Sequence, residues 1–256
     1  DAQGRVIGVE ASALPEGSFW QRLHALISAL EYGTRYVTLA IPPFRHVTGR
    51  LYALAERFAK PLRIRARQGV VLASGGFIYN REMVRQADPR FIVGTPLGCH
   101  GDDGSGINMG RAIGGATGNM SKISTWRFIN PPRSFPKGML VGRSGKRLCN
   151  EMLYGARTGD YMVRPENNGE AFLIIDKTLW LASHRDCLPD RSTWFQAGPT
   201  LLNLYFNWRK ASTIEHLAMK VGINAFELRK TLDAYNRIAR SGGEGDELGK
   251  FPEFFH

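Results

Sequence analysis

The chain has 256 residues, enough for one large domain or two modest ones around a sizeable core. Its 43% hydrophobic and 22% charged content is that of a globular protein, and no apolar run reaches the roughly 18 residues of a membrane span. The net charge of +11 invites a nucleic-acid partner, yet the basic residues are scattered; the densest group, Arg63, Arg65 and Arg67, alternates with apolar neighbours as on a half-buried strand, so none is expected.

The opening, DAQGRVIGVE, has neither the charged nor the apolar region of a signal peptide. Cys99, Cys149 and Cys187 are far apart with no CxxC, which argues against a disulfide framework or zinc site and fits reduced thiols in a cytoplasmic compartment. No His, Cys or carboxylate group recurs at metal-ligand spacing, and a serine triad would lack its GxSxG turn.

In chain order, Arg5 to Ala11 (RVIGVEA) reads as the second strand of a hairpin whose first strand lies before residue 1. Two amphipathic helices follow, around SFWQRLHALISALEYG and GRLYALAERFAK, separated at Pro42-Pro43. VVLA, residues 70 to 73, is a continuous apolar run of the kind buried on both faces of a parallel sheet. Ser74-Gly75-Gly76 then lets backbone pass close to another group, Asn80 caps a helix from Arg81 to Ala87, and Asp88-Pro89 ends it.

Residues 101 to 119, GDDGSGINMGRAIGGATGN, contain GSGINMG, which looks like a pyrophosphate-binding loop. It does not leave a buried strand, Gly104, Gly106 and Gly110 have GxGxxxG spacing, and Asp102 and Asp103 stand where a phosphate would approach. The stretch instead reads as a loop capping a helix from Ile107 to Ala116. Further on, GMLV, the turn GRSGK and RLCNE form a hairpin; EAFLIID is a strand; STIEHLAMKVG is a helix. The last helix opens with a capping box, Asn224 and Glu227, presents Leu228, Leu232, Tyr235 and Ile238 on one face, and stops at Gly242.

Four ordered stretches carry a resemblance: VVLASGGFIYNREM, GDDGSGINMGRAIGGATGNM, GMLVGRSGKRLCNE and the tail TIEHLAMKVGINAFELRKTLDAYNRIARSGGEGDELGKF. They resemble segments of the flavoprotein family that includes fumarate reductases, succinate dehydrogenase flavoprotein subunits and 3-ketosteroid dehydrogenases. Tyr154-Gly155 after the NE pair, and Pro131-Pro132 before the hairpin, look closest to the steroid-dehydrogenase branch. The family's opening GxGxxG strand-turn-helix and closing flavin segment have no counterpart here, so the sequence reads as a fragment of a longer enzyme.

The resemblance implies an α/β plus α+β fold. Residues 1–95 are then the middle part of a Rossmann-like FAD-binding domain, and residues 96–256 an inserted α+β substrate-binding cap. It implies FAD as cofactor, a small apolar, steroid-like ketone as substrate, an electron acceptor of unknown identity, and oxidation or reduction of a CH–CH bond beside the carbonyl; a fumarate or dicarboxylate reductase is the alternative, as is a non-catalytic fragment.

In such chemistry the cofactor takes or gives the hydride while a protein group moves the partner proton, a role that suits a phenol. Tyr154 is the first catalytic candidate, with Arg157 weighed beside it because fumarate-reducing relatives use an arginine soon after NE. Ala73, Ser74, Gly75, Gly76, Asn80, Asp103 and Ser105 are the candidate cofactor contacts, although Asn80 also suits a plain helix cap. His100, Trp126 and Tyr154 are candidates for substrate contact. Asn150 and Glu151 are expected to hold the hairpin together, and Cys149 to pack inward.

Overall fold

The computed structural model describes residues 4–40, 42–99, 101–127, 129, 132–241 and 245–256. His100, Pro131 and Gly242 therefore lie outside the described residues. The chain divides into two compact units, one of Asp1–Met83 with Pro96–Gly118, the other of Val84–Thr95 with Asn119–His256.

In the first unit, strand β1 (Gly8–Ala13) pairs antiparallel with β2 (Lys60–Arg65), Gly8 opposite Arg65 and Ala13 opposite Lys60. The partner of β1 within the sequence is thus a strand from beyond two helices. Helices α1 (Phe19–Ala40) and α2 (Pro42–Glu56) form an excursion that brings the strand ends back together. Trp20 stacks on Phe58 with ring centres 4.1 Å apart, and Ser28 Oγ lies 3.2 Å from Tyr52 Oη. Pro42 starts α2, where its missing N–H costs no helix bond.

Every residue of β2 is exposed, which corrects the half-buried reading of Arg63, Arg65 and their neighbours. Alternation alone does not bury a face; a second layer must cover it. The Arg63–Glu10 pair across the strands, at 2.8 Å, is equally solvent-exposed and worth little.

VVLA forms no strand either: residues 70–73 pair with no described strand, and Val71 is 90% exposed. A parallel strand needs neighbours to take its N–H and C=O groups, and none of the described strands does so. Asn80 does cap α3 (Arg81–Ala87), its Oδ1 accepting from Met83 N at 3.1 Å. Asp88 then caps a short 3-10 turn, Pro89–Val93. The glycine-rich helix α4 spans Ser105–Ala112 rather than Ile107 to Ala116. Asp103 accepts from Ser105 N at 2.8 Å and starts it early; Gly114, at φ +88°, turns the chain out before Ala116.

The second unit is built around β3 (Met139–Val141), which pairs antiparallel with β4 (Phe172–Ile174). The hairpin after β3 is present, with Leu148 N donating to Leu140 O at 2.9 Å and Gly142 N to Lys146 O at 3.1 Å. Alternation along β3 feeds two cores. Met139 and Val141 pack with Ala218, Ile223, Leu228 and Tyr235, whereas Leu140 packs with Ile129 and Cys149. Cys149 is 1% exposed, as its inward placement anticipated.

The first of these cores is covered by α8 (Ile214–Val221) and α9 (Ala225–Ser241). Asn224 caps α9 by accepting from Glu227 N at 3.0 Å, and Leu228 and Tyr235 are its buried face. Helices α5 (Gly155–Met162), α6 (Lys177–Asp186) and α7 (Trp194–Tyr205) complete this unit's long helices among the described residues.

Candidate functional site

In the first unit the segment from Ala73 to Gly76 passes the N-terminus of α4. The approach is close enough that a Cβ on Gly106 would stand 1.9 Å from Ser74 Oγ, and one on Gly75, at φ +84°, 1.9 Å from Asp102 Oδ1. Only glycine meets both conditions at Gly75. Between segment and helix lies a cavity of about 250 Å³ whose lining includes Ala73, Ser74, Gly75, Gly106, Gly110 and Arg111. Within α4, the amides of Gly106 and Ile107 have no acceptor among the described residues. They are free first-turn donors with the positive end of the helix dipole behind them.

The carboxylates flanking this cradle are used by their own loop. Asp102 accepts from Gly76 N at 3.3 Å and from Cys99 N at 2.9 Å. Asp103 accepts from Ser105 N, and hydrogen bonds from the Ser105 backbone and hydroxyl hold its carboxyl below the usual range. Asn80 is occupied at both ends, its Oδ1 by the α3 cap and its Nδ2 by Asp103 O at 3.1 Å. Gly76 has open space on its Cβ side. What remains available to a ligand is backbone, the Ser74 hydroxyl and Arg111. That donor set, beside glycines whose missing Cβ lets the segment and helix approach closely, fits the polar groups of a cofactor, while the Asp102 and Asp103 carboxylates are taken up by amides of their own loop.

In the second unit Tyr154 is the residue before α5, 61% exposed, and its hydroxyl makes no hydrogen bond among the described residues. Its ring meets Trp126 edge-on, with centres 4.8 Å apart and planes at 76°. Trp126 is held by its Nε1–H, which donates to Ser124 Oγ at 3.0 Å. The two aromatics meet because α5 lies tightly on the Ser124 to Arg127 segment: a Cβ on Gly159 would stand 2.4 Å from Thr125 Oγ1. Arg127 N also donates to Gly155 O at 3.0 Å. Arg157 is exposed and forms no side-chain hydrogen bond to Tyr154. An accessible phenol braced by an indole is a group that can exchange a proton with a ligand laid over it.

Behind this turn lies a buried charge cluster that the sequence reading left largely unassigned. Glu151, with its side chain fully buried, accepts from Leu140 N at 2.9 Å and from Arg147 Nε and Nη2 at 3.0 and 2.6 Å. Arg147 also pairs with Asp246. Lys250 Nζ donates to Gly138 O at 2.9 Å and Tyr235 Oη at 2.7 Å, and lies 3.1 Å from Glu151 Oε2. Tyr235 donates to Lys137 O at 2.6 Å, and burial pushes its phenol well above the ordinary value. Two cations and two carboxylates balance. The available signal was the i, i+4 spacing of Arg147 and Glu151.

Among the described residues no group of His, Cys, Asp and Glu could hold a metal, and no helix is long and apolar enough to cross a membrane. The chain is 33% identical over 99% of its length to a 3-oxo-5-alpha-steroid 4-dehydrogenase of Comamonas testosteroni, covering 47% of that protein. It is 30% identical to a 3-oxosteroid 1-dehydrogenase of Mycolicibacterium smegmatis over 73% of this chain and 36% of the relative. The chain thus spans half or less of the curated relatives it matches. A crystal structure of 3-ketosteroid-delta4-(5alpha)-dehydrogenase from Rhodococcus jostii RHA1 with 4-androstene-3,17-dione is similar at 29% identity and a TM-score of 0.61, over 77% of this chain and 38% of the other. Residues 38–250, which contain both the glycine cradle and Tyr154, match the FAD binding domain model, and the chain belongs to that flavoenzyme family.

Proposed function

We propose that the chain is part of an FAD-dependent oxidoreductase acting on a carbon–carbon bond beside the ketone of a steroid-like substrate, with Tyr154 as the proton-transfer residue. Residues 1–95 are assigned to the FAD-binding domain and 96–256 to a substrate-binding α+β cap. The cofactor, when bound, supplies hydride transfer. The chain's own residues bind, orient and handle the proton.

Ala73, Ser74, Gly75 and Gly76 hold the cofactor through backbone groups and the Ser74 hydroxyl, joined by the free amides at the start of α4. Asn80, Asp103 and Ser105 act one step back, shaping the cradle through the bonds described above. Tyr154 Oη exchanges the proton, and Trp126 keeps its ring edge-on while adding apolar surface for the substrate. His100 and Arg157 complete the candidate set, His100 as a donor to the substrate carbonyl and Arg157 as a nearby cation. The electron acceptor is a separate, unidentified partner, and the unpaired thiols suit a cytoplasmic setting.

The observation that carries this reading is the accessible Tyr154 phenol held against Trp126 in a chain whose relatives are named for 3-oxosteroids. Arg157, which a fumarate-reducing site would use, has no comparable support. Dye-coupled turnover of the FAD-loaded protein with 3-ketosteroids, set against reduced-dye oxidation by fumarate, decides between them. Turnover with the ketosteroid alone is expected, and fumarate reduction without ketosteroid turnover would overturn the assignment.

A further inference from the structure

Asn150 is 9% exposed, and its side-chain amide, side-chain carbonyl and backbone carbonyl each have one partner. Its Nδ2 donates to Gly249 O at 2.7 Å, its Oδ1 accepts from Met152 N at 2.9 Å, and its backbone carbonyl accepts from Leu153 N at 3.1 Å. None of these bonds serves the hairpin, which is closed by its own backbone ladder and by Glu151 Oε1 on Leu140 N. They fix residues 150 to 153, the turn that delivers Tyr154. On the far side, Tyr154 O accepts from Arg157 N and Thr158 N, and buried Thr158 donates from Oγ1 to Leu153 O at 3.4 Å.

The acceptor that Asn150 uses is itself rigidly placed. Asp246 Oδ1 accepts from Leu248 N and Lys250 N, both at 3.0 Å, and Asp246 O accepts from Gly249 N at 2.9 Å. The turn is then nailed down by Lys250, whose ammonium is buried among Gly138 O, Tyr235 Oη and Glu151. Gly249 adopts φ +76°, which favours glycine there. A carbonyl far along the chain is thus held still and offered to one amide. That arrangement is more than a turn of four residues needs for itself.

We propose that Asn150 is a positioning residue for Tyr154, set in place by the Asp246–Lys250 turn. The inference rests on the reading of Tyr154 as the proton-transfer residue, and its test separates the two. The FAD-loaded protein is labelled with fluorotyrosine, and the Tyr154 fluorine resonance is identified by its loss in Tyr154→Phe. Asn150→Ala is expected to shift or broaden that resonance. The flavin-reduction rate at saturating ketosteroid should fall about ten- to a hundredfold, as a misplacement near 1 Å would cause. KM should stay within about twofold, because binding is not what the residue serves.

Asn150→Ser keeps a short side-chain acceptor for Met152 N, loses the donor to Gly249 O without setting a charge against it, and should give a smaller displacement in a fully folded protein. In the Tyr154→Phe background Asn150→Ala should cause no further loss of rate, since both act through one group. The proposal is overturned by an unmoved Tyr154 resonance, by a moved resonance with an unchanged rate while Tyr154→Phe is slow, or by an equal rate loss in both backgrounds. A moved resonance with Tyr154→Phe as fast as wild type would instead sink the proton-transfer role and leave the placement of Tyr154 by Asn150 standing.

Discussion

Replacing Lys250 by Met tests the buried charge cluster through its pH dependence. Burial pulls the Lys250 ammonium from 10.5 down to about 8, with Glu151 opposing the shift only in part. The folded protein therefore binds fewer protons than the unfolded chain between about pH 8 and 10.5, so this residue's contribution to stability rises with pH across that window. At pH 7 the depressed value represents a handicap on the order of 3 kcal/mol relative to the neutral amine, and most of it disappears by about pH 10.5.

Lys250→Met has nothing to titrate there. Urea unfolding of both proteins from pH 7 to 10.5 cancels the hydrogen bonds lost at every pH and most other titrations. The wild-type stability minus that of the variant should climb by on the order of 3 kcal/mol. A flat or falling difference would refute the claim that desolvation dominates at Lys250.

Leu228, fully buried where α9 meets β3, should cost about 2–5 kcal/mol when cut to Ala, read by the same unfolding assay, and a loss below about 1 kcal/mol would contradict its core placement. Gly106→Ala forces a methyl against Ser74 Oγ, so FAD affinity measured by fluorescence titration should fall about tenfold or more and recover in part with Ser74→Gly; unchanged affinity would remove this cradle from the cofactor site. Among the thiols, exposed Cys99 should react readily with a disulfide reagent at pH 8, while Cys149, buried and pushed up to about 12, should stay silent until the protein unfolds.

Local chemistry was legible in the sequence where it acts over a few residues. Asn80 and Asn224 cap the helices their positions announce, the turn after β3 closes as its glycines imply, and Cys149 packs inward. What depends on distant partners was not legible. Alternation in LRIRAR suggested a buried face, but every residue of β2 is exposed, and the partner of β1 arrives only after two helices. VVLA has the composition of a parallel strand without described neighbours to pair with.

The candidate site shows the same divide. The resemblance placed Tyr154 and the Ser74 to Gly76 segment on the page by motif. That Trp126 braces Tyr154, and that Gly106 lies against Ser74, are contacts between segments whose spacing carries no period. Lys250 reads in sequence as an ordinary charged tail residue; only its burial against Glu151 and Tyr235 makes it structural.

Tyr154 is proposed to move the proton that accompanies hydride transfer. Stopped-flow bleaching of bound FAD by a 3-ketosteroid, compared between wild type and Tyr154→Phe, tests it most directly. The Tyr154→Phe variant should bind FAD and ketosteroid normally yet reduce the flavin about a hundredfold or more slowly. A variant whose flavin bleaches within a few-fold of the wild-type rate would contradict it.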